Sequence, residues 1–190
     1  DNRDTELKQA ASELPIALFC IRGNHEERPE NVPGYQKELF LGDIVYYQPE
    51  YSNIKFAKDG GIYMFDNKRC LVLGGAYSVD KYYRLMRGWS WFESEQLTED
   101  ERNYIDSYIY NNPNYDYVLT HTSPYDTRPT HLFLSGIDQS KVDSSMEHWL
   151  QKVSDNITFD KWYFGHYHGE WQNGNYIMLY NDFFLYLFKL

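Results

Sequence analysis

The chain has 190 residues and a formal net charge of -10, with 18 Lys and Arg against 28 Asp and Glu. That length suits one domain with a core of its own, and the acidic balance argues against a broad electrostatic grip on nucleic-acid backbone, which needs clustered cations. No apolar run approaches the ~20 residues of a membrane-spanning helix, and Asp1-Asn2-Arg3-Asp4 lacks the charge and apolar pattern of a signal peptide.

In chain order, Leu7, Ala10, Ala11 and Leu14 fall at i, i+3, i+4 and i+7 and Pro15 stops the pattern, which predicts an opening helix. Pro15 to Ile21 is almost continuously apolar and runs into Arg22-Gly23, the sign of a strand buried on both faces and then a tight turn. Residues 27 to 43, with Pro29, Pro33, Gly34 and Gly42, read as an irregular excursion before a strand over Ile44 to Tyr47. Ile62 to Phe65 and Cys70 to Leu73 flank Asp66-Asn67-Lys68-Arg69 as a hairpin. Gly74-Gly75 then opens a long loop through Gly88 that carries Tyr77, Asp80, Arg84 and Arg87, and loops of such length are usually functional or disordered.

Thr98 with Glu101 reads as a capping box ahead of the stripe Leu97, Tyr104, Ile105, Tyr108 and Ile109, a helix ended at Asn111-Asn112-Pro113-Asn114. Tyr115 to Leu119 is the next strand and runs into His121. Val142, Met146, Trp149, Leu150 and Val153 mark another amphipathic helix, and Trp162 to Phe164 a short strand leading to Gly165. Tyr176 to Tyr180 and Phe183 to Phe188, joined by Asn181-Asp182, read as a closing hairpin. Strand–helix alternation mixed with hairpins predicts a layered α/β domain with more than one sheet. Cys20 and Cys70 sit inside apolar runs, where reduced, buried thiols are ordinary, and a cytosolic, cytoplasmic location is the expectation.

Four of the six histidines lie in three strings, Gly23-Asn24-His25-Glu26, Thr120-His121-Thr122 and Gly165-His166-Tyr167-His168. Each follows a strand-like run, which is where layered α/β folds build their sites. Singly, each string also fits a turn or a strand-terminal core residue; jointly they point to metal-dependent phosphoester chemistry. His166 and His168, two apart in extended backbone, would face one metal cluster. The amide oxygen of Asn24 is a hard, uncharged ligand that leaves a metal electrophilic. His25, next to it, is placed to assist proton development on a leaving oxygen.

With these strings in this order, the chain resembles the calcineurin-like metallophosphoesterases. Their ordered signature is Asp-x-His, Gly-Asp-x-x-Asp, Gly-Asn-His-Asp/Glu, a lone His and Gly-His-x-His, of which the last three are matched by Gly23 to Glu26, His121 and Gly165 to His168. The resemblance implies a four-layer α/β/β/α sandwich with two mixed sheets, and hydrolysis of a phosphomonoester or phosphodiester by metal-bound hydroxide. It implies that Asn24, His121 and His166 hold one divalent metal (Mn, Fe, Ni or Zn), that His168 belongs to a second, and that His25 is the catalytic histidine. It also puts substrate-contacting groups in the Tyr77 to Arg87 loop.

The first two motifs of that signature do not occur before Gly23. In the family they supply the Asp and His of the first metal and the bridging Asp. Without a bridging carboxylate two neighbouring cations repel, so one metal or none, and impaired activity, are expected of this chain. The same motifs end the first two strands of the family fold, beside the strand at Pro15 to Ile21, whose edge would then be open to self-association. Residues 1 to 190 therefore read as a single, N-terminally incomplete domain: a fragment, a truncated product, or one part of an assembly. Two other readings stand beside the enzyme: a non-catalytic interaction or regulatory domain of the same fold, and a nuclease, against which the acidic charge argues.

Overall fold

Two mixed β-sheets face one another with helices on their outer faces, in a computed structural model that describes residues 2–181. The opening helix α1 (Asn2–Ser12) forms as its spacing predicts. Its apolar stripe is not a core seam, however: Leu7 is 71% exposed and Leu14 48%. The end of α1 is tied down through polar groups instead, with Asn53 Nδ2 donating to the carbonyls of Ala11 at 3.1 Å and Ile16 at 3.0 Å.

β1 (Leu18–Cys20) is shorter than its apolar run and half-buried rather than buried on both faces. The stretch expected to be irregular contains a strand, β2 (Gln36–Phe40), paired in a hairpin with β3 (Asp43–Tyr47). Leu41 and Gly42 turn that hairpin, both at positive φ (52° and 98°), as a two-residue loop matching strand twist requires. β2 is hidden in the sequence because it is an edge strand that opens with Gln36, Lys37 and Glu38, the first two exposed and the third paired with a lysine. β4 (Ile54–Ala57) is hidden by its length and by Lys55, a buried lysine that ion-pairs with Glu38 and lies 4.2 Å over the ring of Tyr47. The first sheet has the order β1-β4-β3-β2. β1 lies parallel to β4, and on its other side it has no strand partner among the described residues. That single pairing explains its partial exposure.

β5 (Ile62–Phe65) and β6 (Lys68–Leu73) form the expected hairpin, turned by Asp66 and Asn67 at φ 47° and 63°. The stretch read as a long loop holds a short helix, α2 (Lys81–Arg87), closed by Gly88 at φ 66°. None of its residues is buried, so no apolar stripe announces it. α3 (Glu99–Ile109) starts with the predicted capping box, Thr98 Oγ1 accepting from Glu101 N while Glu101 Oε2 accepts from Thr98 N at 2.8 Å. β7 (Asn114–Thr120), α4 (Ser145–Asn156) and β8 (Thr158–Phe164) follow as expected. A hairpin not marked in the sequence pairs β9 (Trp171–Asn173) with β10 (Tyr176–Met178) across Gly174; the second strand of the expected closing hairpin, Phe183 to Phe188, lies outside the described residues. The second sheet has the order β5-β6-β7-β8-β10-β9, with β6, β7, β8 and β10 parallel and an antiparallel strand at each edge.

Strand alternation divides the core in two. Leu71, Leu73, Val118, Trp162 and Phe164 point one way, against Ile105 and Ile109 of α3 and Met146, Leu150 and Val153 of α4. Cys70, Val72, Tyr117 and Leu119 point the other way, toward Val45, Ala57 and Phe19 of the first sheet. Because α1 lies against β4 on the far side, the layers run helix, sheet, sheet, helices, the α/β/β/α order. The sandwich brings the carboxyl ends of β1, β6, β7 and β8 to one rim.

Candidate active site

From that rim, β1 leads through Ile21-Arg22-Gly23 to Asn24 and His25, β7 leads to His121, and β8 leads to His166 and His168. The loops are knitted by backbone bonds: Gly75 N donates to Arg22 O at 2.9 Å and Gly165 N to His121 O at 3.0 Å. Arg22 is the strongest fastener, 2% exposed, with Nε and Nη2 on Asp59 Oδ2 at 3.1 and 2.9 Å and Nη1 on the carbonyls of Ser94 and Glu95 at 3.2 and 3.0 Å. The β6 loop passes so close that a Cβ on Gly74 would meet the Arg22 carbonyl at 2.8 Å.

Asn24 is buried, and its Nδ2 donates to Ser78 Oγ at 2.8 Å, which turns Oδ1 toward His121 Nε2, 2.9 Å away. Ser78 is itself held from behind, its N–H donating to Glu95 Oε1 at 3.2 Å. The rings of His121 and His166 meet edge to face at 5.2 Å. Burial, reinforced by the neighbouring histidines, depresses His121 to about 3 and His166 to about 4, so both imidazoles are neutral at pH 7; because an amide oxygen only accepts, the His121 proton sits on Nε2 and is donated to Asn24 Oδ1, and it would move to Nδ1 before Nε2 could bind a cation.

His166 and His168 are not presented by an extended strand. Both have positive φ, 70° and 55°, in the loop beyond β8, so sharing a face by two-residue alternation does not describe them. Left-handed backbone at such residues is costly and persists where neighbours fix it. Tyr167 does so here, its hydroxyl 2.9 Å from Thr122 Oγ1 and 3.3 Å from Ser123 Oγ. His166 is thereby directed at His121, whereas His168 stands exposed at the rim, stacked 4.9 Å from the ring of Tyr180.

His25 is half-exposed and held between opposite charges. Its Nε2 lies 3.5 Å from Asp80 Oδ1, and Arg84 Nη2 contacts its Nδ1. A guanidinium offers only donors, so Nδ1 carries the lone pair and the single ring proton sits on Nε2, toward Asp80. Burial first, then the Arg84 charge, lowers the His25 pKa, against an upward pull from Asp80. Asp80 and Arg84 come from the 74–88 stretch that the sequence marks out. Ser78 and Glu95 do not stand out in sequence, since a serine and a glutamate in connecting segments carry no spacing signal.

Asn24, His121 and His166 supply one amide oxygen and two neutral imidazoles, a donor set that fits a single first-row divalent cation. Asn24 Oδ1 and His121 Nε2 are joined by a 2.9 Å hydrogen bond, which a cation held by both atoms would replace. Among the described residues no group of three or more His, Cys, Asp or Glu side chains is placed to hold a metal ion, so a cation at the rim would depend on the Asn24 amide beside the histidines. Set against known proteins, residues 2–170 match the family model of calcineurin-like phosphoesterases. No curated protein and no solved structure matches the chain.

Proposed function

The chain belongs to the calcineurin-like phosphoesterase family, and from that premise we propose that it hydrolyses a phosphomonoester or phosphodiester at the rim where Asn24, His121 and His166 converge. The observation that carries this reading is the meeting of residues 24, 121 and 166 from three strand ends, with Asn24 Oδ1 and His121 Nε2 2.9 Å apart. When bound there, a divalent cation (Mn, Fe, Ni or Zn) supplies the positive charge that polarises a phosphoryl oxygen. His168, at the rim, is the remaining ligand for a second ion, and the reading gives the described residues one.

His25 handles the proton of the leaving oxygen. In the arrangement described it carries one proton and Arg84 covers Nδ1, so it cannot act as an acid until Arg84 moves. An incoming phosphoryl dianion offers Arg84 a stronger, bidentate partner. Arg84 then binds the phosphoryl group, His25 takes up a second proton, and Asp80 holds the imidazolium in place. The two unpaired cysteines, both raised by burial, Cys20 to about 11 and Cys70 to about 12, support a cytosolic setting.

The sparse second ligand set favours one other reading, a non-catalytic domain that binds one cation or none. Hydrolysis of 4-nitrophenyl phosphate by the metal-loaded protein separates them. Turnover that falls by 10²–10⁴-fold in His25→Ala supports the enzyme; no turnover with Mn, Fe, Ni or Zn gives the non-catalytic reading.

A further inference from the structure

Along α2 and the turn after it, Tyr82, Leu85, Met86 and Trp89 fall at i, i+3, i+4 and i+7, the spacing of a core-facing stripe. The stripe faces solvent instead: Tyr82 is 73% exposed, Leu85 50%, Met86 74% and Trp89 52%. Gly88, in left-handed backbone, folds Trp89 back onto the helix, its N–H donating to Arg84 O at 2.9 Å and its ring meeting that of Tyr83 edge to face at 5.6 Å. Exposed apolar residues are ordinary singly, whereas four large ones on one short element mark a contact surface. The charge around them has one sign. Residues 81–92 carry Lys81, Arg84 and Arg87 and no Asp or Glu, in a chain of formal net charge -10. Arg84 turns inward to His25 and Asp80, while Lys81 lies 3.8 Å over the Trp91 ring and Arg87 5.2 Å over the Tyr83 ring, beside the stripe. Leu7 and Leu14 of α1 are exposed too, but among Asp4, Glu6 and Glu13.

We propose that α2 and Trp89 dock the chain on an anionic lipid surface, with the apolar side chains at headgroup level and Lys81 and Arg87 against the lipid charges. Tyrosine and tryptophan rings favour that depth, and cations beside an apolar stripe are the pattern of elements that lie in the interface. The acidic remainder of the chain opposes docking only weakly, because charges more than about 8 Å from the surface are screened at physiological salt. At seven residues α2 is about 10 Å long, so it lies at the surface and holds it reversibly, needing both the apolar and the charge contributions. Trp89 and Arg84 also line, with His25, a cavity of about 980 Å³, so docking sets the mouth of the candidate active site at the headgroups.

The test is co-sedimentation of the full chain with vesicles of phosphatidylcholine alone and of phosphatidylcholine with about 30% phosphatidylserine. Binding should be about tenfold stronger to the anionic vesicles and should fall away at about 1 M salt. Lys81→Gln and Arg87→Gln should each weaken it about fivefold. Leu85→Gln/Met86→Gln replaces exposed side chains with a good helix former, so folding is not at stake, and should weaken binding about tenfold or more. Leu39→Gln, 74% exposed on β2, should leave it unchanged. Equal binding to both vesicle types, sedimentation with neither, or binding that survives the Leu85/Met86 double variant would overturn the proposal. So would self-association of the chain that this double variant abolishes, since a second copy would then cover the stripe. Sedimentation needs no turnover, so its failure leaves the phosphoesterase reading standing, and a chain without turnover can still pass it.

Discussion

Replacing Arg22 should damage the fold and the site together. Its guanidinium is 2% exposed, and Asp59, whose side chain is 12% exposed, accepts two of its N–H groups on Oδ2. Arg22→Met leaves the aliphatic volume largely filled but strands a buried carboxylate, which among the described residues keeps the bond from Gly74 N to Oδ1 at 2.8 Å. Breaking a buried ion pair from one side costs about 3–5 kcal/mol. The low end is appropriate here because Asp59 keeps Gly74, so the loss is about 3 kcal/mol, a large share of the ~5–15 kcal/mol that holds a domain folded. With a urea slope of about 2 kcal/mol/M, the unfolding midpoint should fall by about 1.5 M at pH 7. Arg22→Met/Asp59→Leu should recover part of that, since neither charge is then left alone. A single-variant shift under about 0.5 M would refute the reasoning, because Arg22 would then not be the fastener that its contacts with Gly23, Ser94 and Glu95 indicate.

Three smaller predictions probe the rim and its support. Ser78→Ala removes the acceptor that orients the Asn24 amide, and metal affinity, read by competition with a chromogenic chelator, should fall about 10–100-fold. Arg84→Met removes a charge that lowers the His25 pKa, so the His25 titration followed by NMR should move upward; an unchanged or lower value would contradict the contact. For Glu101, burial pushes the carboxyl up, but the hydrogen bonds from Arg28 and Thr98 outweigh it and bring it down to about 2. Because that folded value lies below its ordinary 4.5, the stability it contributes is present above pH 4.5 and is lost as pH falls toward 2. Glu101→Gln should therefore melt below the parent at pH 7, with the gap narrowing below pH 4.5 and closing only near pH 2.

The parts of the structure legible in the sequence are those where burial and periodicity coincide. β6, β7 and β8 bury one face against helices and the other against a sheet, and α4 carries its core stripe, so their apolar patterns are unambiguous. β2, β4 and β9 are short or peripheral and carry lysine, glutamate, glutamine or asparagine where a core strand would not, which conceals them. α1 misleads in the opposite sense: Leu7 and Leu14 have helical spacing but face outward. At the site, Asn24, His25, His121 and His166 are legible because each follows a strand end. The left-handed backbone of His166 and His168 is not, since it is imposed by Tyr167 packing on Thr122 and Ser123 across the chain. The burial of Glu147 on α4, where Oε1 accepts from Thr122 Oγ1 at 2.9 Å, is invisible for a similar reason: a glutamate on an amphipathic helix reads as a solvated residue until its burial is seen.

The most direct test of the phosphoesterase reading is turnover of 4-nitrophenyl phosphate measured while metal-free protein is titrated with Mn²⁺. The account gives activity that rises to a break at about one equivalent and is abolished by His121→Ala or His166→Ala. No turnover at any ratio, or a rise that breaks only at about two equivalents, would contradict a site built on Asn24, His121 and His166 alone.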